Sequence, residues 1–97
     1  MDTLSRQKIS DLDLQKHLES VPGWEVKDGV LVKEFKFTSY IAGVIFVSGV
    51  AIFAEQLDHH PDILLTYQKA KISLSTHDSD GITEYDFELA KSIETLA

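Results

Sequence analysis

The segment Asp58-His59-His60-Pro61-Asp62 sets two of the chain's four histidines side by side, against a proline and between carboxylates. A packed core gains little from such a cluster, and a solvated loop has no need of it. Imidazoles titrate near neutrality, so they are the side chains best suited to giving and taking protons at physiological pH. A third histidine, His77, ends the run "AKISLSTH" further along the chain. Three imidazoles also suit a metal centre, and the residues by themselves leave acid–base and metal chemistry both open. Other chemistries are poorly served. The chain has no cysteine to act as a thiol nucleophile. No Ser-His-Asp order stands out, no glycine-rich phosphate loop is present, and no lysine sits in an apolar setting.

Each of these residues also has a plainer use. His59 and His60 suit the end of a helix, where cationic rings meet the carbonyls favourably. His77 suits a solvated turn. Glu55 and His59 are four apart and share a helix face if the last turn persists; such a carboxylate orients an imidazole or forms a minor surface pair. Thr83-Glu84-Tyr85-Asp86 is close to a capping box, with the acid at the third helical position. That cap is the favoured reading of Asp86, with a second role left open.

The elements that must position these groups are legible from periodicity. Ninety-seven residues make one domain with one core. At 43% hydrophobic and 26% charged, the composition is that of an ordinary globular chain. "ISDLDLQKHLES" predicts a first helix capped by Ser10, with Asp13 at the third position and Ile9 and Leu14 placed as a hydrophobic staple. Pro22-Gly23 stops it. "WEVKDGVLVKEFKF" predicts a β-hairpin about Asp28-Gly29. Thr38 or Ser39 opens a second helix running to about Leu57, and Pro61 disfavours helical geometry at His60.

Two strands follow, "ILLTY" and "AKISLSTH", with Gln68-Lys69 as the expected turn. Ala70, Ile72, Leu74 and Thr76 share one face; Lys71, Ser73, Ser75 and His77 share the other. "GITEYDFELAKSIETLA" predicts a third helix capped by Thr83, with Ile82, Tyr85, Leu89 and Ile93 along one stripe. The expectation is an α+β domain of order αββαββα, a four-stranded antiparallel sheet with three helices packed on one face.

The second helix carries a further signal. Between Tyr40 and Ala54, "YIAGVIFVSGVAIFA", only Ser48 is clearly polar, whereas a surface helix keeps a polar face about as wide as its apolar one. Fifteen residues rise only about 22 Å, short of the ~30 Å hydrocarbon core of a bilayer, so a membrane span is not expected. The remaining option is a second apolar face buried against another copy. A homo-oligomer, tetramer or dimer, is expected through the 40–57 helix, with Val44, Phe46 and Val47 as interface candidates and Ala42, Gly43 and Gly49 allowing close approach. The formal charge of −7 argues against direct binding of nucleic acid or anionic membranes. "MDTLSRQKISDLD" has no apolar signal region, and the absence of cysteine suits a reducing compartment, so a cytoplasmic location is expected.

With these residues in view, the run from Val50 to Ser92 resembles the pterin-4a-carbinolamine dehydratases, a family also known as dimerisation cofactors of a homeodomain transcription factor. The shared pattern is an acid, three residues, His-His-Pro, an aromatic, a later histidine and an aspartate beyond it. Here these are Glu55, His59, His60, Pro61, Tyr67, His77 and Asp86, and the upstream "GWEV…L…FKF" extends the likeness over nearly the whole chain.

The resemblance implies the αββαββα fold and loss of water from 4a-hydroxytetrahydropterin to give quinonoid dihydropterin, in recycling of the tetrahydropterin cofactor. It implies no metal and no organic cofactor. His59, His60 and His77 become the catalytic residues, with His59 and His77 as the acid–base pair and His60 positioning the pterin. Asp58, Ser75 and Thr76 become pocket-lining, Glu55 and Asp86 become orienting groups, and dimers or tetramers are implied. Ile63 stands where many members carry tryptophan, and Lys71 where some carry histidine, so side-chain preference on the substrate is the property most affected. Two alternatives stand beside this reading. One is a metal-dependent enzyme using His59, His60 and His77, although residues adjacent in sequence rarely aim at one ion. The other is a non-catalytic binding or coactivator module, since animal relatives of the family act as coactivators.

Overall fold

The computed structural model describes residues 4–97, and these follow the expected order αββαββα, with a short 3-10 turn ahead of the last helix. Helix α1 (Asp11–Leu18) begins where the Ser10 hydroxyl oxygen accepts from the Asp13 N–H at 3.2 Å. Ile9 is buried and Leu14 and Leu18 pack against the core, so one edge of this short helix is anchored. Strands β1 (Glu25–Lys27) and β2 (Val30–Lys36) pair antiparallel across Asp28 and Gly29. Both turn residues have positive φ, 52° and 75°, the backbone that a two-residue hairpin turn needs to match strand twist.

Strands β3 (Asp62–Thr66) and β4 (Lys69–Leu74) form the second hairpin, and the sheet order is β1-β2-β4-β3. Its turn is Tyr67-Gln68, one residue earlier than the expected Gln68-Lys69. The reason is that β4 pairs on both sides. Lys69 faces Lys36 of β2 as well as Thr66 of β3, and this double register draws it into the ladder. Leu31, Phe35, Ala70, Ile72 and Leu74 all lie buried on one side of the sheet. Against them pack Phe46, Val50 and Ala54 of α2 (Tyr40–Leu57) and Phe87, Leu89, Ala90 and Ile93 of α3 (Glu84–Glu94).

Trp24 is buried in this core, edge-on to Phe35 with ring centroids 6.0 Å apart. Its indole N–H donates to Glu94 Oε2 at 2.9 Å, and Lys33 Nζ reaches the same oxygen at 2.7 Å. The first hairpin is thereby fastened to the last turn of α3.

Helix α2 corrects part of the sequence reading. Ser39 caps it, accepting from the Ala42 N–H at 3.2 Å. Phe46, expected at an interface, faces the chain's own core, with its ring 4.7 Å from that of Phe35 and 5.1 Å from that of Phe37. Val47 also packs on the core and Val44 is half-buried. Gly43 lies under Leu65 and Phe37, and Gly49 under Leu96, so these glycines admit side chains of this chain and not those of a second helix. The uncovered apolar positions are Tyr40, Ile41, Ile45 and Ile52, with Ile45 66% exposed. An all-apolar helix offers no polarity contrast from which to read its inner side, so the phase was illegible. By length and composition α2 could cross a membrane, yet its Phe46, Val50 and Ala54 are committed to the sheet.

Phe46→Ala removes a ring from the centre of this aromatic cluster. The expected cost is about 3–5 kcal/mol, read as a fall in the urea midpoint with little change in slope.

Candidate active site

The end of α2 decides how the histidine pair is presented. Asp58 adopts left-handed backbone, φ 52° and ψ 46°, a conformation that aspartate tolerates better than most residues. The Asp58 N–H bonds the Glu55 carbonyl at 3.2 Å and the His59 N–H bonds the Ala54 carbonyl at 3.0 Å, the two-bond closure that ends many helices. Beyond this reversal Pro61 disfavours helical backbone at His60 and the chain leads into β3. His59 turns inward and is buried, while His60 stays exposed.

His59 meets Asp86. Its Nε2 lies 2.5 Å from Asp86 Oδ1. The other oxygen, Oδ2, accepts from the Thr76 hydroxyl at 2.9 Å and from the Thr83 N–H at 2.9 Å. Since Thr76 spends its single hydroxyl proton on Asp86, the Thr83 hydroxyl must be the donor in the 2.8 Å Thr83–Thr76 contact. Thr83 in turn accepts from the Tyr85 N–H at 3.2 Å. Every buried side-chain polar atom among the described residues has a partner. These contacts assign the His59 proton to Nε2, leaving Nδ1 as the nitrogen free to engage a bound molecule. Asp86 therefore does both things the sequence allowed: it closes the capping box of α3 and it holds an imidazole.

Glu55 does not reach His59. Its Oε2 lies 2.5 Å from Nε2 of His60, and both groups are exposed. The four-residue spacing failed because the reversal at Asp58 takes His59 off the helical face. His77 also differs from expectation. Strand β4 ends at Leu74, and His77 starts a 3-10 turn, His77–Ser79, instead of closing the strand. A bridge between Thr76 and Gly81 pinches the loop that carries it, with the Thr76 N–H on the Gly81 carbonyl at 2.8 Å.

These segments meet at a cleft of about 230 Å³ lined by Arg6, Asp58, His59, His60, Ser75, Thr76, His77 and Asp78. All six residues expected to contact substrate are in that lining. Arg6 and Asp78 were not expected. Asp78 adjoins His77, but Arg6 lies in the N-terminal segment, where neither motif nor periodicity marks it. Glu55 and Asp86 lie outside the lining, Glu55 at the surface against His60 and Asp86 buried against His59. Ile63 is absent from the wall and packs on the core with Leu65, so its position supplies no stacking surface here. A hollow of about 290 Å³ at Ser10, Asp13 and His17 is larger but contains one histidine. Among the described residues, no three His, Asp or Glu side chains gather as a metal-ligand set.

Asp86→Asn keeps the shape of this network but places an N–H₂ where a carboxylate oxygen stood. The expected result is a stability loss of about 1–3 kcal/mol and a switch of the His59 proton from Nε2 to Nδ1, read from ring ¹⁵N shifts. An unchanged tautomer would contradict the assignment.

Comparison with known proteins agrees in fold and in family. A provisionally named pterin-4-alpha-carbinolamine dehydratase of Prochlorococcus marinus is 41% identical over 93 residues, covering 96% of this chain and 97% of the relative. A solved structure described as a transcriptional coactivator/pterin dehydratase from Brucella melitensis superposes with a TM-score of 0.90 at 28% identity, over 94% of this chain and 99% of the other. A pterin dehydratase-like protein identified as a RuBisCO assembly factor in the alpha-carboxysome superposes with a TM-score of 0.63 at 25% identity, over 76% of this chain and 86% of the other. The family model described as pterin 4 alpha carbinolamine dehydratase matches residues 7–96. The chain belongs to this family of hydro-lyases.

Proposed function

We propose that the cleft dehydrates 4a-hydroxytetrahydropterin to quinonoid dihydropterin by histidine acid–base catalysis, in tetrahydropterin recycling. The C4a–O bond breaks, its electron pair leaves with the hydroxyl oxygen, and a protonated imidazole supplies the proton that makes the leaving group water. The N5–H bond breaks toward a neutral imidazole, and its electrons form the C4a=N5 double bond. One proton is given and one is taken, which calls for two groups that titrate near pH 7.

His59 and His77 are that pair in this reading. His59 suits the part because Asp86 fixes its ring and proton (Nε2 to Oδ1, 2.5 Å) while Nδ1 stays uncommitted. His77 suits it as an exposed ring on a pinched loop at the same cleft. His60, held by its contact with Glu55, positions the pterin. Asp58 and Ser75 line the pocket. Thr76, whose hydroxyl is occupied by Asp86 and Thr83 and whose backbone is bonded to Ser79 and Gly81, shapes the wall. The observation that carries the proposal is that residues 58–60 and 75–77, from separate hairpin arms, share one cleft in a chain of this family.

A binding role is the second reading. The Brucella structure is described as a coactivator as well as a dehydratase, and the carboxysome protein as an assembly factor. We infer self-association in either case, because Tyr40, Ile41, Ile45 and Ile52 leave an apolar face of α2 uncovered, and Leu64 and Tyr67 are exposed at the β3 edge. A dimer or tetramer would cover them.

Dehydration of chemically generated 4a-hydroxytetrahydropterin, followed with and without the protein, separates the catalytic from the binding reading. His59→Ala and His77→Ala are each expected to lower turnover on the order of 10²-fold, with His60→Ala acting more on KM. Folded variants that kept full turnover would overturn the acid–base assignment. Ile45→Asp is expected to dissociate the assembly while leaving the monomer folded; light scattering that found the unmodified chain monomeric at micromolar concentration would refute self-association.

A further inference from the structure

One wall of the cleft takes no part in the proton transfers. Arg6 lines it, carried by a segment that crosses the start of α3. Three hydrogen bonds fix that segment. The Ser5 N–H donates to Glu84 Oε1 at 3.1 Å, the Ser79 hydroxyl donates to the Arg6 carbonyl, and the Ile9 N–H donates to the Ile82 carbonyl at 2.9 Å. The methylenes of Lys8 cover Gly81 so closely that a Cβ there would lie 2.8 Å from one of them. The backbone of Arg6 is thus held on both sides.

Its side chain is held as well. The guanidinium carbon lies 4.2 Å from the centroid of the Tyr85 ring, and that ring is 5.8 Å from the ring of His59. Stacking on an aromatic face leaves the N–H donors of a guanidinium pointing outward from its edge. Among the described residues no hydrogen bond or ion pair engages them, and neither Asp58 nor Asp78, which share the wall, pairs with Arg6. A cation seated on an aromatic ring at the exposed side of the cleft, with its planar fork unused, is free to meet a ligand.

The chemistry of the substrate indicates which part of it this fork meets. C6 of the pterin is bonded directly to N5, the atom that gives up its proton. With its proton held on Nε2 and its Nδ1 open, His59 is the imidazole able to take the N5 proton; it then has the C6 substituent as its neighbour, and Tyr85 with Arg6 is the aromatic and cationic surface next to it. We propose that Arg6 is a specificity-determining residue whose guanidinium edge donates hydrogen bonds to oxygen acceptors on the C6 substituent. The inference rests on the dehydratase reading above. Hydroxyl groups and a phosphate ester offer the same acceptor chemistry, and the test separates them.

Three 4a-hydroxytetrahydropterins are compared, bearing at C6 a methyl group, a dihydroxyalkyl chain, or a hydroxyalkyl chain esterified with phosphate. Arg6→Ala is expected to lower kcat/KM for at least one oxygen-bearing substrate about tenfold more than for the methyl compound, with the difference carried by KM. Arg6→Lys is expected to recover only part, because an ammonium lacks the planar fork. A larger loss on the phosphate ester identifies an oxyanion as the group read; a larger loss on the diol identifies neutral hydroxyls. Equal losses on all three substrates, no loss, or a loss confined to kcat would overturn the role of Arg6 while leaving the dehydratase reading in place. Failure of the unmodified protein to turn over even the methyl compound would overturn both.

Discussion

The carboxylate of Asp86 is fully buried, and a buried acid is costly unless donors meet its oxygens. Here the donors come from three different parts of the chain: the Thr83 backbone at the start of α3, the Thr76 hydroxyl just beyond β4, and the His59 ring just beyond α2. Satisfying one side chain therefore fixes the relative positions of the segments that form the cleft. Without that carboxylate the three segments would lose their common point of reference. The capping box and the imidazole clamp are one structure, which is why a cap motif and a site motif coincide at a single residue.

That convergence also explains the unequal treatment of two adjacent histidines. His59 is inward because Asp86 awaits it and because the left-handed turn at Asp58 points it there. His60 is outward and meets Glu55 near the surface. Identical residue types thus hold different environments, one rigid and enclosed, the other solvated and adjustable.

Much of this was legible in the sequence. Ser10, Ser39 and Thr83 announced their helices because a cap is a local hydrogen bond, and Asp28-Gly29 announced its hairpin because the turn needs that backbone. What failed was decided by tertiary structure. The turn at Tyr67-Gln68 is set by a register shared with β2. The inner side of α2, with Phe46, is set by packing on a helix that has no polar face to mark it. The partner of Glu55 depends on where α2 ends to the residue. His77 leaves the strand because the Thr76–Gly81 bridge starts a new turn. Arg6 was invisible for the simplest reason: it reaches the cleft through a segment with no periodicity of its own.

The fastening of the first hairpin to α3 has a practical side. Trp24 is the chain's single tryptophan, and its indole is enclosed, edge-on to Phe35 and bonded to Glu94, which also holds Lys33. It is not part of the cleft lining. The molecule thus carries a built-in fluorophore whose emission depends on α3 remaining docked against the hairpin. When a substitution in the cleft abolishes turnover, an unchanged emission maximum says that this far joint is still closed, and that what was lost was chemistry.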